Sequence, residues 1–341
     1  MDCPKKAVVT FGELLLRLDP PGMDRFVQAE SFKARYTGAE ANVAVCLAGF
    51  GIDAYAVSKV PDHEIGQSCV NYLRRFGVNT GHIVRGGDRL GVLYVETGCS
   101  QRPSKVVYDR AHSSIREVRR GEFDWDAIFA EKHWFHFSGT APALGDSVVS
   151  VLDEALDAAK RLGLTTSCDC NYRSKLWGPE EAGRVLSGLL NRVDVFIGGV
   201  EDARKLFGVV VPEALRESED DGAEYAAKRL RERFGFAWVA MTLRSGASAS
   251  VNRYAGMACN ARGCAFSRDY EIQIVDRVGA GDAFTAGLVY QILSGADAAQ
   301  AVEFAAAAAC LKHTIPGDFN LVSVPEVAQL LEGGQAGRVQ R

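Results

Sequence analysis

The run Asp276-Arg277-Val278-Gly279-Ala280-Gly281-Asp282-Ala283-Phe284 is the part of the chain best suited to chemistry. It follows an apolar, strand-like stretch, Tyr270–Val275, and opens a helical one. Two glycines around one alanine allow a tight turn that presents bare N–H groups. At a helix N-terminus such groups and the helix dipole favour an anion, phosphate in particular. Asp282 then stands where a carboxylate can take a proton from an attacking hydroxyl. The same residues fit a plain glycine turn with an aspartate capping the helix equally well. Two commoner nucleotide loops are excluded. The chain has no Gly-Lys pair for a Walker loop, and Phe284 stands where a dinucleotide fingerprint needs its third glycine.

A second candidate is Thr37-Gly38-Ala39-Glu40-Ala41-Asn42. Gly38 permits close backbone approach to a ligand, and Asn42, four residues on, shares its helix face. The Asn42 amide offers both donor and acceptor to hydroxyls. A capped, small-residue helix explains this run as well. Other constellations are poorer. His133 and His136 are three apart on a strand and face opposite ways. Cys168 and Cys170 share a face but lack further ligands. Cys259 and Cys264 fit a hairpin without a completed zinc spacing, and no Gly-x-Ser-x-Gly elbow occurs.

The elements that must position these residues alternate. Strand-like stretches at 7–17, 54–60, 134–138, 164–169, 195–198 and 237–243 are separated by helical ones. The helices are expected at 39–51, 63–77, 146–162, 179–191, 223–235, 281–294 and 297–312. That order predicts an α/β fold with a mostly parallel sheet covered on both faces. Residues 13–36 and 82–110 break the rhythm with strands lacking helices between them. A small antiparallel sheet projecting from the main body accounts for both, and it must be covered by a ligand or a second subunit.

The 341 residues carry 39 Lys+Arg against 43 Asp+Glu, a formal net charge of -4, so no basic excess exists to bind nucleic acid. The basic run Lys228–Arg233 is interrupted by acid and reads as a solvated helix face. No apolar run approaches the ~18 residues of a membrane span. The N-terminus is broken by Glu13 and Arg17, unlike a signal peptide. Nine scattered cysteines, an odd number, suit reduced thiols in the cytoplasm.

Asp276–Phe284 resembles the C-terminal signature of the ribokinase-like (PfkB) sugar kinases. Four further stretches resemble the branch of that family acting on 2-keto-3-deoxygluconate: Gly12–Leu18, Thr37–Ala44, Asp169-Cys170-Asn171-Tyr172-Arg173-Ser174-Lys175-Leu176-Trp177, and Leu311–Asn320 with its Thr-Ile-Pro-Gly-Asp core. The resemblance runs from about residue 7 to 331. It implies one three-layer α/β/α domain over 1–341 with a projecting β-sheet lid. It also implies ATP-dependent phosphorylation of the terminal (C6) hydroxyl of 2-keto-3-deoxygluconate, with Mg²⁺ held mainly by ATP and water and by Asp202.

In that frame Asp282 is the base, and the N–H groups of Gly279, Ala280 and Gly281 hold the phosphoryl charge. The sugar acid meets Gly38, Asn42, Tyr94, Tyr108, Arg110, Asn171, Arg173 and Asp318. Two arginines suit a carboxylate, whose geometry the guanidinium fork matches. ATP meets Thr242, Arg244, Ser245, Gly246 and Ala247, with the alanine-rich helix 298–311 either an apolar wall for adenine or simple close packing. The family implies a homodimer or larger homo-oligomer through the lid. Departures are Gly199 and Asp202 where relatives carry Asn and Glu, Thr37 where a second glycine is usual, and Arg244 where many have glycine. Rival readings are a sibling kinase for 2-keto-3-deoxygalactonate, fructose or ribose, and a silent sugar-acid-binding module whose metal support was lost at Gly199.

Overall fold

The computed structural model describes residues 6–246 and 248–333. Fourteen strands run β1 (Ala7–Phe11), β2 (Leu15–Asp19), β3 (Lys33–Thr37), β4 (Asp53–Val60), β5 (Asn79–Arg85), β6 (Gly91–Glu96), β7 (Lys105–Asp109), β8 (Trp134–Ser138), β9 (Thr165–Asp169), β10 (Val195–Gly198), β11 (Trp238–Gly246), β12 (Val251–Asn260), β13 (Gly263–Phe266) and β14 (Tyr270–Gln273). The helices are α1 (Ala39–Gly49), α2 (Glu64–Arg74), α3 (Trp125–Phe129), α4 (Asp146–Arg161), α5 (Pro179–Leu190), α6 (Val200–Phe207), α7 (Glu219–Phe234), α8 (Ala280–Leu293), α9 (Ala298–Lys312) and α10 (Val324–Leu331).

Ten strands form one sheet in the order β13-β12-β11-β10-β9-β8-β1-β4-β5, with β14 also on β12. From β11 to β5 every pairing is parallel, and the β12 edge is antiparallel. Side chains alternate between two apolar layers, as a pleated strand requires. Val9, Phe11, Phe135 and Phe137 pack under α3 to α7, whereas Val8, Ala54 and Trp134 pack under α1, α2, α8 and α9. The α/β expectation therefore holds.

The second sheet, β3-β2-β6-β7, is the projecting one, but it is mixed rather than antiparallel, since β2 and β6 at its centre come from separate excursions of the chain and pair in parallel. The chain enters it at Gly12–Leu14, so 7–17 is two strands rather than one. Residues 79–85 belong to the main sheet as β5, not to the lid. The inner lid face carries Leu15, Leu93, Val95, Val106 and Tyr108, and the outer carries Tyr94 and Val107.

Cys259 and Cys264 sit opposite one another in the β12–β13 ladder and form a disulfide, a correction to the expectation of reduced thiols throughout. The basic run on α7 is solvated and paired along the helix, Lys228 with Glu224 and Arg229 with Glu232. Among the described residues no helix is long and apolar enough to cross a membrane.

Candidate active site

A cleft of about 400 Å³ opens between the lid and the C-terminal ends of the parallel strands, where open α/β sheets bind ligands. One side of its floor is the N-terminus of α8. Gly279 has φ 84°, and a Cβ there would strike the Asp318 carbonyl, so only glycine fits both the turn and the packing. Asp282 follows in the first turn of α8, half-buried at the floor. Burial pushes its carboxyl up to about 8, while a hydrogen bond from Asn42 works against the rise and the Asp169 charge adds to it. Asn42 Nδ2 donates to Asp282 Oδ2 at 2.6 Å.

Asn42 is held from behind. Its Oδ1 lies 3.2 Å from Thr37 Oγ1, and the same hydroxyl bonds Asp318. Gly38 starts α1 between them, and a Cβ there would collide with the Glu13 carbonyl. Thr37 in place of a second glycine thus gains a role, linking Asn42 to Asp318. The other Asp318 oxygen accepts from Arg17, whose buried guanidinium also meets Asp19 and Asp276. Asp318 lines the cleft with both oxygens already bonded, and so ties lid strand β2 to the floor.

Asp169, at the end of β9, faces the same space and was not among the residues expected at the site. Burial raises its carboxyl to about 6, opposed by Arg173 and reinforced by Asp202. Thr285 Oγ1 donates to its Oδ2 at 3.4 Å and Asn171 N to its Oδ1 at 3.1 Å. Its one sequence signal is a carboxylate at the C-terminal end of a parallel strand. Asn171 has φ 39°, a conformation asparagine tolerates better than most residues. Asp202 lines the cleft too, with one oxygen accepting from Gly199 N at 3.0 Å, and burial raises its carboxyl. Beneath them Glu40 is fully enclosed, accepts from Ser138 N and Oγ, and is pushed up to about 7 by burial.

The arginines are not equivalent. Arg110 Nε donates to Glu13 Oε2 at 2.8 Å and its Nη2 bonds the same oxygen, with the guanidinium 4.9 Å from the Tyr108 ring centre. Glu13 is buried and also accepts from Ser113. Arg173 is exposed at the cleft and bonds only the Tyr172 carbonyl, at 3.3 Å. Among the described residues no carboxylate pairs with it.

Tyr94 is a correction. It directly follows Leu93, which lines the cleft, so strand alternation turns it to the outer lid face. There it packs edge-on against Phe26 and Phe32.

A second cleft, about 390 Å³, adjoins the first at Arg244 and Arg277. Ser245, Gly246 and the lid residues Ser100, Gln101, Pro103 and Ser104 line it, and Thr242 lines the first cleft. Arg244 lies 5.5 Å from the Tyr254 ring centre and beside Gly281. Ala247 lies outside the described residues. The lid tip is pinned here, with Ser100 N donating to Ser250 Oγ at 2.8 Å and Ala249 N to Ser100 O at 2.9 Å. The alanines of α9 line neither cleft. All but the exposed Ala299 are buried, and α9 packs against α8 and β12, so close packing rather than an adenine wall accounts for them.

Residues 5–322 match the profile of the pfkB family carbohydrate kinases. A 2-dehydro-3-deoxygalactonokinase of Haloferax volcanii is 35% identical over 97% of this chain and 98% of its own. A 2-dehydro-3-deoxygluconokinase of Bacillus subtilis is 28% identical over 93% and 92%. The crystal structure of 2-dehydro-3-deoxygluconokinase from Thermotoga maritima superposes with TM-score 0.93 at 48% identity, covering 96% of this chain and 100% of that one.

Proposed function

Since the chain belongs to the pfkB family of carbohydrate kinases, we propose that its acceptor is 2-keto-3-deoxygluconate, phosphorylated on the terminal C6 hydroxyl with ATP as donor. The observation that carries this reading is the pair Asp282–Asn42 beside the Gly279–Gly281 turn. A carboxylate whose proton affinity lies near neutrality faces N–H groups suited to phosphate oxygens. The terminal hydroxyl gives its proton to Asp282 as its oxygen attacks the γ-phosphorus, and the bond to the ADP oxygen breaks. Asn42 holds the carboxylate while the N–H groups of Gly279 and Gly281, both lining the cleft, hold the transferring charge; the Ala280 N–H instead donates to the Arg277 carbonyl at 3.4 Å.

Mg²⁺ fits the acidic side of the cleft, where Asp202 and Asp169 face the space beyond Asp282. Bound to nucleotide phosphates, it would offset their charge. We assign the nucleotide to the second cleft, with Thr242, Arg244, Ser245 and Gly246 along it. For the sugar acid we assign Gly38, Asn42, Tyr108 and Asn171, and Arg173 as the partner of its carboxylate. Arg110 supports the pocket through Glu13.

The relatives of comparable coverage include kinases named for both the gluconate and the galactonate form of the 2-dehydro-3-deoxy acid, which is the 2-keto-3-deoxy acid. The 48% identity favours the first, and the second is the competing substrate. A coupled ADP-release assay with both acids, fructose and ribose tests the reading. Turnover on 2-keto-3-deoxygluconate with the highest kcat/KM supports it, and preference for a neutral sugar or no turnover overturns it.

The outer lid face supports a further assignment, a homodimer through the lid. Val27 is 90% exposed there, beside exposed Met23, Phe32 and Val107. Sedimentation of Val107→Asp against the parent tests it.

A further inference from the structure

Lys312 is the last residue of α9 and is fully buried. Its Nζ donates to the Ile315 carbonyl at 3.1 Å and to the Asp276 carbonyl at 3.3 Å. No carboxylate lies within ion-pair distance of it among the described residues. A buried ammonium is costly, and this one is compensated by backbone dipoles and by the negative end of its own helix. The two carbonyls belong to different segments. Asp276 opens the turn that leads to Gly279, and Ile315 opens the turn that leads to Asp318.

The segments are joined along their length. Val275 N and Asp276 N both donate to the His313 carbonyl, at 2.8 and 3.1 Å. Gly317 N donates to Asp276 Oδ2 at 2.9 Å and Val278 N to Asp276 Oδ1 at 3.0 Å. At the far end Gly279 rests on the Asp318 carbonyl. Among the described residues the ammonium is the one cation bonded to the main chain of both segments, at the end where they emerge from the core. Without it two carbonyl dipoles would face one another unpaired.

We propose that Lys312 is a positioning residue for phosphoryl transfer, a built-in cation that draws the Asp276 and Ile315 carbonyls together and thereby sets the Gly279 and Gly281 N–H groups against the phosphoryl oxygens. It touches neither substrate. The proposal rests on the kinase reading. Displacing the turn weakens charge stabilisation and the aim of Asp282 in transfer, while the sugar-acid contacts made by α1, the lid and the β9 loop stay in place.

The experiment compares the full-length parent with Lys312→Met, which keeps the volume and removes the charge, and with Lys312→Ala, which leaves room for a small amine. The expected result is a kcat lowered about 10- to 100-fold, with sugar-acid KM within a factor of about three. Methylammonium should restore turnover in Lys312→Ala, and tetramethylammonium, too large for the space, should not. A methionine variant with parental kcat overturns the proposal. So does a loss shared equally by kcat and sugar affinity, or an alanine variant that amines do not rescue. Lys312→Gln, a neutral donor, replaces the methionine variant if that protein does not fold, and unfolding of both assigns Lys312 to the core alone and overturns the proposal. An inactive parent would sink the kinase reading instead. Binding of inorganic phosphate, followed by ³¹P NMR, would then read the turn, and equal affinity in parent and variant would overturn the positioning role.

Discussion

Asn42 and Asp282 come from opposite ends of the chain, 240 positions apart, yet their side chains meet at 2.6 Å on the cleft floor. The contact brings the first turns of α1 and α8 together. The amide N–H engages only one carboxylate oxygen and favours the charged form. Burial opposes that charge, and the balance sets the carboxyl at about 8.

Asp282→Asn should lower kcat roughly 10²- to 10⁴-fold with little change in ATP affinity. Asparagine caps a helix as well as aspartate, so a mere cap would leave turnover normal. Steady-state kinetics on a folded variant decides between the two.

The same group makes a stability prediction. Its folded value, about 8, exceeds the ordinary 3.8. Between those values the folded state holds a proton that the unfolded chain has released, so stability falls as pH rises through the window. Asp282→Asn removes that loss, and its gain in Tm over the parent should grow from about pH 5 to about pH 8.5. A difference in Tm that does not change with pH would contradict the raised value. In the parent, kcat/KM should climb towards a plateau above about pH 8, as the free enzyme's base ionises.

Arg173→Leu should raise KM for the sugar acid about ten- to a hundred-fold and leave ATP KM nearly unchanged, the cost of one charge-assisted hydrogen bond, about 1.5–3 kcal/mol. Among the described residues its guanidinium makes no ion pair with a carboxylate, although its charge holds Asp169 down from across the cleft. Equal KM values in variant and parent would remove it from the carboxylate site.

Arg110→Leu should behave differently. It leaves buried Glu13 without its cation, and breaking such a pair costs about 3–5 kcal/mol. Calorimetry should find a large fall in Tm, and Arg110→Leu with Glu13→Gln together should recover part of it.

Tyr94→Ala should leave sugar-acid KM unchanged because the ring lies on the outer lid face with Phe26 and Phe32. A rise in KM in the monomeric fraction would return it to the pocket.

Periodicity made most of the fold legible. Helices expected at 39–51, 146–162 and 297–312 are found at Ala39–Gly49, Asp146–Arg161 and Ala298–Lys312. The turn at Gly12–Leu14 was hidden because apolar content continues across it while the chain changes sheet. Gly279–Asp282, Gly38 and Asn42 were legible because their geometry is local. Tyr94 was placed in the pocket by resemblance alone, and only the ladder, which sets Tyr108 opposite Leu93 and Tyr94 opposite Val107, shows that it faces the other way. The Glu13–Arg110 pair spans 97 positions, and no local pattern announces it. Asp169 escaped notice because its raised proton affinity comes from enclosure by α8 and the β10–α6 turn, which only the folded chain creates.

The clasp between Ser100 and the β11–β12 turn has a kinetic consequence. Two hydrogen bonds at solvent-facing tips contribute roughly 0.5–1.5 kcal/mol each, so the clasp opens readily in thermal motion. It joins the lid that walls the first cleft to the turn that walls the second. One opening event therefore uncovers both clefts at once. On the proposed assignment of sugar acid and nucleotide to these two clefts, both products would leave through the same exit, and a loop fluctuation rather than bond-making would time their release.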